Sequence, residues 1–449
     1  MNDSKTLEYI KELLATNQYT KLRQHLSDLN IADIAQMMGE LSEENQLRIF
    51  RILSKNLAAD VFSYLEVSDQ QYIISSITER EAANIINNLM TDDAVDFLEE
   101  MPANMVKRLL KNANAETRRD INHLLQYPED SAGSIMTVEF VDLKEDMTVA
   151  DAVTRIRKIA VDSETSYVCY VVDIRRTLIG AVTLHRLMIN PDDVIIRDIM
   201  DDNIIYLHTL MDQEEVAQKF SKYDFIAMPV VDCENRLVGI ITVDDVVDIM
   251  QDETTEDIEK MAAILPTDKP YFKTSVFETW KSRMPWLLLL MISSTFTQQI
   301  IQSYEAALSM VPILMGFVPM LMGTGGNAGG QSSVTVIRGL SLREIEFKNI
   351  FGVWRKEISV AVTCGITLAI TYFIKLMIFD RIDMTVALVI CLTLVVTVTL
   401  AKAIGCSLPI LTKMIGLDPA VMASPLVTTI VDALSLLVYF SFAQRLLQL

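Results

Sequence analysis

Five long apolar stretches, near residues 285–303, 310–336, 358–379, 384–412 and 420–443, crowd the last part of this 449-residue chain. Each is long enough for the roughly 30 Å hydrocarbon core of a bilayer, which a helix crosses in about 20 residues. Backbone in lipid must satisfy its own polar groups, so these stretches are expected to fold as a helical bundle. Residues 284–449 carry ten Lys or Arg against eight Asp or Glu, so the formal charge of −20 belongs almost wholly to residues 1–283. The chain therefore divides into an acidic water-soluble part and a nearly neutral membrane part. Phosphate binding needs a basic surface, so the acidic part argues against a nucleic-acid partner and suits cations.

The loop between the second and third stretches holds Arg338, Arg343, Lys348, Arg355 and Lys356, whereas the loop between the first two holds only Glu305. By the positive-inside rule the first loop is cytoplasmic and the second outside. Five spans then predict a multi-pass protein of the cell (inner) membrane with a cytoplasmic N-terminus and an external C-terminus. The opening residues, Met1 to Glu8, lack a basic region followed by an apolar one, which agrees with that orientation. Lys273, Trp280, Lys281, Arg283 and Trp286 suit a membrane surface on the cytoplasmic side. Five cysteines without C-x-x-C spacing read as free thiols in a reducing compartment.

Within residues 1–130, short segments with apolar residues at helical spacing alternate with Asp, Asn or Ser, as in 17–27, 31–41 and 79–90. They predict a stack of short helices with a superhelical arrangement. From 131 to 253 the chain repeats itself. Ser134-Ile135-Met136 is echoed by Asp198-Ile199-Met200, and Val171-Val172-Asp173, Gly180 and Thr183 by Val230-Val231-Asp232, Gly239 and Thr242. This pattern resembles a tandem pair of CBS (cystathionine-β-synthase-type) domains, at 131–196 and 197–253, small α/β units that bind adenine nucleotides or metal ions. Residues 254–283 are expected to form a helix linking the soluble part to the membrane domain at 284–449.

Asp432 is the only ionisable residue in the last apolar stretch and stands near its centre. A charge there costs at least about 2.5 to 3.5 kcal/mol, so it is expected to face a bundle interior or a hydrated path. Ser424, Thr428, Asp432 and Ser435 draw one polar stripe along that helix. The competing assignment is a structural carboxylate bonded to a hydroxyl or paired with Lys402. The run Met322 to Ser333 mimics a nucleotide P-loop between Gly325 and Ser332, but Gln331 stands at the lysine position and no strand precedes it. Close helix packing through its small residues, or an ion path lined by its carbonyls and Asn327, are the two remaining readings.

A third constellation is acidic: Asp92, Asp93 and Asp96, then Glu214 and Asp224, then Asp245, Asp248, Asp252, Glu253, Glu256, Asp257 and Glu259. A charge run is ordinarily a solvated face, yet carboxylates this dense at a domain junction repel one another unless hard divalent ions bridge them. Gly239 to Asp245 resembles the G-h-h-T-x-x-D pattern by which CBS domains hold a ribose, with Thr242 and Asp245 as candidate contacts for a nucleotide such as ATP. Arg186 replaces the acidic residue in the first repeat, so at most one nucleotide site per chain is expected. The four histidines show no metal or catalytic spacing, and the chain has no nucleophile-and-base motif of an enzyme.

The order of these parts, with the Gly-Gly-Asn-Ala-Gly segment and Asp418-Pro419 leading into Thr428 to Asp432, resembles the MgtE family of bacterial magnesium channels over essentially the whole chain. The resemblance implies a homodimer with the ion path at the subunit interface and Asp432 as its carboxylate. It also implies a gate held shut by Mg2+ on the acidic soluble domains. By the same resemblance Asp93, Asp96, Glu214, Asp224, Asp245, Asp248, Glu253, Glu256, Asp257 and Asp418 are metal-binding positions. A broader divalent-cation transporter, for Mn2+, Co2+ or Ni2+, and a non-conducting metal or nucleotide sensor are the alternatives.

Overall fold

The punctuated helical pattern of the first 130 residues becomes ten short helices between Asp3 and Leu124 among the described residues. A computed structural model describes residues 3–160, 163–267, 271–422 and 424–448, and divides into two compact units, Met1–Met250 and Gln251–Leu449. Pro270 and the side chain of Ser424 lie outside the described residues. In the first unit the short helices pack mainly on the helix two places along. Ile31–Gly39 packs on Lys55–Ser63, that helix on Glu79–Ile86, and Glu79–Ile86 on Ala103–Asn112. This is the contact pattern of a superhelical stack. Phe62, fully buried, meets Phe97 edge-on with ring centres 5.0 Å apart. A capping box of Thr78 and Glu81 starts the helix at Glu79.

The internal repeat yields two three-stranded sheets of one topology. In the first, β1 (Phe140–Lys144) runs parallel to β2 (Thr165–Val172), and β2 antiparallel to β3 (Leu178–Thr183). In the second, β4 (Leu207–His208), β5 (Ala227–Val231) and β6 (Leu237–Thr242) repeat that order, with register shifts at Val171/Val172 and at Val230/Val231. The repeats exchange their leading segments. Thr137 bridges Ile240, and Met136 lies over Gly239 of the second sheet, where an added Cβ would meet its sulfur at 2.6 Å. Conversely Asp201 bridges Ala181, and Met200 lies over Gly180 of the first sheet. The boundary expected between 196 and 197 thus divides the sequence repeats, while each packed module borrows a segment from the other side of it.

The linking helix differs from the expectation of 254–283. It begins inside the second repeat and spans Val243–Met261, and residues 262–275 are not helical where described. Proline cannot continue a helix hydrogen-bond ladder, which keeps the segment around Pro266 out of the helix. Ala263, at φ 56°, closes the helix in the left-handed conformation, with Ile264 N–H donating to the Glu259 carbonyl at 2.9 Å. A capping box of Ser275 and Glu278 restarts it.

Five long helices form the second unit: Val276–Ser303, Val318–Ser341, Ile350–Lys375, Met384–Met414 and Ser424–Leu447. Four of them are long and apolar enough to cross a membrane, among the described residues, and the second is not one of these. Its Gly, Ser, Thr, Asn and Gln content lowers its hydropathy, and it makes up for that by burial against the fourth and fifth helices. The expected bounds 310–336 move accordingly to Val318–Ser341, since Pro312–Phe317 forms a separate 3-10 turn. Gly405 on the fourth helix sits so close to the second that an added Cβ would run into the Gly329 carbonyl. Only small residues permit that approach.

Candidate metal centres

Asp432 lies two turns into the fifth helix, half-buried, and its Oδ1 is fully enclosed without a hydrogen-bond partner among the described residues. Its neighbours on the expected polar stripe do not make a wet face. Ser435 is buried and donates to the Val431 carbonyl at 2.6 Å. Thr428 packs on Gly326 and Ser435 on Gly325 of the second helix, at distances that leave no room for a Cβ. The stripe is therefore a close-packed seam, and Asp432 is its one carboxylate. Helix–helix contact through glycines is thus what the Gly-rich run supplies within one chain; Asn327, expected on an ion path, is exposed beside the buried Gly325, Gly326, Ala328 and Gly329. The hydroxyls of Ser293, Ser294 and Thr295 on the first helix, expected to suit a hydrated ion, donate to carbonyls of their own helix.

Lys402 does not pair with Asp432. It faces Glu357, whose position at the head of the third apolar stretch concealed it in the sequence. Lys402 Nζ stands 4.0 Å from Glu357 Oε2, with both side chains almost wholly buried. Ser332 Oγ donates to the same oxygen at 2.7 Å and lies 3.2 Å from the Lys402 carbonyl. The second, third and fourth helices are joined there by one charged contact. A lysine 45 residues away leaves no local pattern, which is why only the fold reveals it.

Unit one gathers a different set of carboxylates. Asp92 and Asp93 begin the helix Thr91–Glu99, and Asp245 begins the linking helix next to Asp244. Burial pushes Asp93 up to about 6, with the Asp245 charge adding to it. Burial, then Asp245 and Asp244, push Glu164 up to about 7, and burial, then Asp245 and Asp93, raise Asp92 well above the usual carboxylate range. Asp96 is also raised, by partial burial first and then by Asp93 and Glu99, but its side chain keeps contact with solvent, which screens it. Burial raises Asp245 too, opposed by Thr242, whose hydroxyl donates to Asp245 Oδ2 at 2.5 Å. Glu139 and Glu164 had no place in the sequence pattern. Glu139 Oε2 accepts from Thr137 Oγ1 at 2.6 Å, and Glu139 Oε1 accepts from the Thr91 hydroxyl, so the carboxylate fastens the Asp92 helix to the first sheet's leading segment.

The other expected ligands lie elsewhere. Glu214 and Asp224 stand at the two ends of the helix Gln213–Tyr223, and Asp248 is exposed. Glu253, Glu256 and Asp257 belong to the last turns of the linking helix, in the second unit. Asp418 accepts a hydrogen bond from Lys260 at 2.7 Å, and Glu256 pairs with the same ammonium at 2.6 Å. Among the described residues no three His, Cys, Asp or Glu side chains converge as a ready-made metal cage. Hard oxygen donors that repel one another still fit Mg2+, which keeps several waters and takes only one or two carboxylates directly.

Because those raised values mean that the metal-free fold prefers protonated carboxylates, the stability they contribute is present in acid. It is fully present below about pH 4 and lost as pH rises through about 6 to 7. The unfolding midpoint of the soluble unit in the full chain, measured in EDTA, is expected to fall by several degrees between about pH 5 and pH 8. Excess Mg2+ should flatten that slope, because the ion replaces the protons; an equal slope with and without Mg2+ would count against metal at this cluster.

These features define a class: a multi-helix membrane transporter with a carboxylate inside one of its apolar helices, joined to a carboxylate-rich part that bears two CBS-like modules. Family models agree part by part. Residues 318–442 match the divalent cation transporter family, 29–130 the MgtE intracellular N domain, and 132–190 and 196–252 the CBS domain. The chain is 35% identical to the magnesium transporter MgtE of Thermus thermophilus, over 98% of each chain. It is 33% identical to that of Bacillus subtilis, over 96% of this chain and 95% of the relative. The soluble part of a magnesium transporter, as a crystal structure, superposes with a TM-score of 0.53 at 33% identity, covering 56% of this chain and 99% of that one. The cytosolic domain of the Mg2+ channel MgtE in complex with ATP superposes at 0.52 and 35% identity, covering 54% and 99%. The chain belongs to the MgtE family of magnesium transporters, and it is not an enzyme.

Proposed function

We propose that this chain carries Mg2+ across the membrane past Asp432, and that Mg2+ on the soluble carboxylates closes the path. The observation that carries the reading is the enclosed Asp432 Oδ1, unpartnered among the described residues, two turns into an apolar helix. A carboxylate there attracts the ion through its water shell without stripping it. An inside-negative potential contributes roughly 4.6 kcal/mol per 100 mV for a divalent ion, twice the single-charge value, so no ATPase is required.

One chain presents a single Asp432, and a homodimer would bring two such carboxylates to one path. The N-terminus is cytoplasmic and the C-terminus external, which places the acidic unit where internal Mg2+ is sensed. When internal Mg2+ is scarce, repulsion among Asp92, Asp93, Asp245 and Glu164 loosens that unit and opens the path; Mg2+ favours the closed arrangement by binding it better. Thr242 and Asp245 are the contacts for a nucleotide such as ATP, in keeping with the ATP complex of a similar cytosolic domain.

The test is Mg2+ uptake into liposomes at a fixed potential with rising Mg2+ on the soluble-domain side. Wild type is expected to shut off, and the double variant Asp93→Asn with Asp245→Asn to keep conducting at Mg2+ levels about tenfold higher or more. Shut-off unchanged in the variant would remove the sensor from this cluster, and absence of flux in wild type with metal binding retained would favour the sensor reading. Competition by Mn2+, Co2+ and Ni2+ in the same assay decides how broad the selectivity is.

A further inference from the structure

The last turn of the linking helix is fixed within the second unit at two places. Beyond its left-handed end at Ala263, Leu265 N–H donates to the Ser282 carbonyl of the first long helix at 3.0 Å, and Thr267 N–H donates to Glu259 Oε2 at 3.0 Å. The second attachment is Lys260. Its ammonium lies 2.6 Å from Glu256, one turn back on the same helix, and 2.7 Å from Asp418, 158 residues further along the chain. Asp418 is itself oriented, because its other oxygen accepts the Ala420 N–H at 2.8 Å and so starts the turn Pro419–Met422. That turn packs against the second long helix, where Ser333 Oγ donates to the Met422 carbonyl at 3.3 Å, and leads directly into the helix bearing Asp432.

We propose that Lys260 is the positioning residue that transmits the linking helix's movement to the Asp432 helix, by an ionic tie to Glu256 and Asp418 that needs no metal. This inference rests on the gating read above. It alters the role of two residues assigned to Mg2+: Glu256 and Asp418 are held together by an ammonium fixed to the chain, so their coupling persists whatever the ion concentration. Exposed ion pairs are ordinarily worth little. Lys260 differs in being only about one-fifth exposed and in joining two carboxylates from distant parts of the sequence. One attachment sits on the first long helix and the other at the residue before the turn that leads to the fifth; the first and fifth helices pack on one another, so a shift of the linking helix's end is passed to both together.

The test uses the full chain in lipid nanodiscs and liposomes, with Lys260→Met, of similar length without charge, and Lys260→Arg, which keeps the charge. Amide hydrogen exchange over residues 255–262 in EDTA reports the tie, and the Mg2+ level that half-closes the flux reports the coupling. Lys260→Met is expected to speed exchange about tenfold and to move half-closure to several-fold higher Mg2+, with Lys260→Arg close to wild type in both. Faster exchange with unchanged half-closure would reduce Lys260 to a local ion pair and overturn the coupling. Half-closure at lower Mg2+ would also overturn it, showing that the ammonium competes with metal for Glu256 and Asp418. Wild-type flux indifferent to internal Mg2+ would instead sink the gating reading itself, whatever the exchange result. If Lys260→Met does not fold, Lys260→Gln supplies the same comparison.

Discussion

Asp432→Ala is expected to reduce Mg2+ uptake into liposomes by at least about a hundredfold while leaving the protein folded. One carboxylate facing a hydrated divalent ion at about 4 to 5 Å supplies on the order of several kcal/mol at an effective dielectric near 20, and each 1.4 kcal/mol is a factor of ten. Its Oδ1 takes no hydrogen bond among the described residues, and the seam around it is made by Gly325, Gly326, Thr428, Val431 and Ser435. Unfolding midpoints should accordingly match or exceed wild type, since an enclosed charge is removed. Asp432→Glu, which keeps the charge one methylene further out, should retain measurable flux. Uptake by the alanine variant at wild-type rate would place the ion path elsewhere.

Lys402→Met is expected to be among the most destabilising single changes in the membrane unit. It leaves the buried Glu357 carboxylate with Ser332 as its remaining partner, and breaking a buried ion pair from one side costs about 3 to 5 kcal/mol. Replacing both members, Lys402→Met with Glu357→Leu, removes the uncompensated charge and should restore most of the loss. A double-mutant cycle on the unfolding midpoint in detergent measures this directly, and strict additivity of the two changes would show that the pair is not coupled. The comparison also separates stability from transport. If the paired replacement is stable but conducts poorly, the charge itself matters to the ion, and if it conducts normally the contact only joins the three helices.

Legibility from the sequence followed the range over which each signal acts. Hydropathy is summed over about 20 neighbouring residues, and it located the apolar helices. It understated the second one, because glycine and hydroxyl side chains score as polar even when they make the tightest contacts, as Gly405 does on Gly329. The CBS-like repeat was visible as matched tripeptides, including Met136 and Met200. That each methionine packs on the glycine of the other repeat was not visible, since matched motifs carry no information about which copy receives them. The linking helix begins earlier in the chain than its sequence pattern indicates, because its first turns look like the end of the second repeat and no breaker separates Asp248 from Glu259.

Among the candidate site residues, Asp432 stood out unaided: a lone carboxylate in an apolar run needs no partner to be noticed. The soluble acidic residues were noticed as a group, but charge density does not say which of them share one environment. Asp93 and Asp245 come together, along with Glu164, whereas Glu214 and Asp224 sit at opposite ends of a separate helix. Asp418 and Glu256 stand far apart in the sequence, and the fold brings the Lys260 ammonium against both.

The amino-acid sequence by itself determined the division into an acidic soluble part and an apolar helical part, the duplicated α/β module and the carboxylate at mid-helix. Each rests on composition or spacing within a few turns of chain, where local physics is sufficient. Tertiary structure alone decided the pairings of Lys402 with Glu357, of Lys260 with Asp418 and of Glu139 with Thr91, and the exchange of Met136 and Met200 between repeats. Those contacts join residues 20 or more positions apart, and their free energy exists only once the intervening chain has folded and removed them from water.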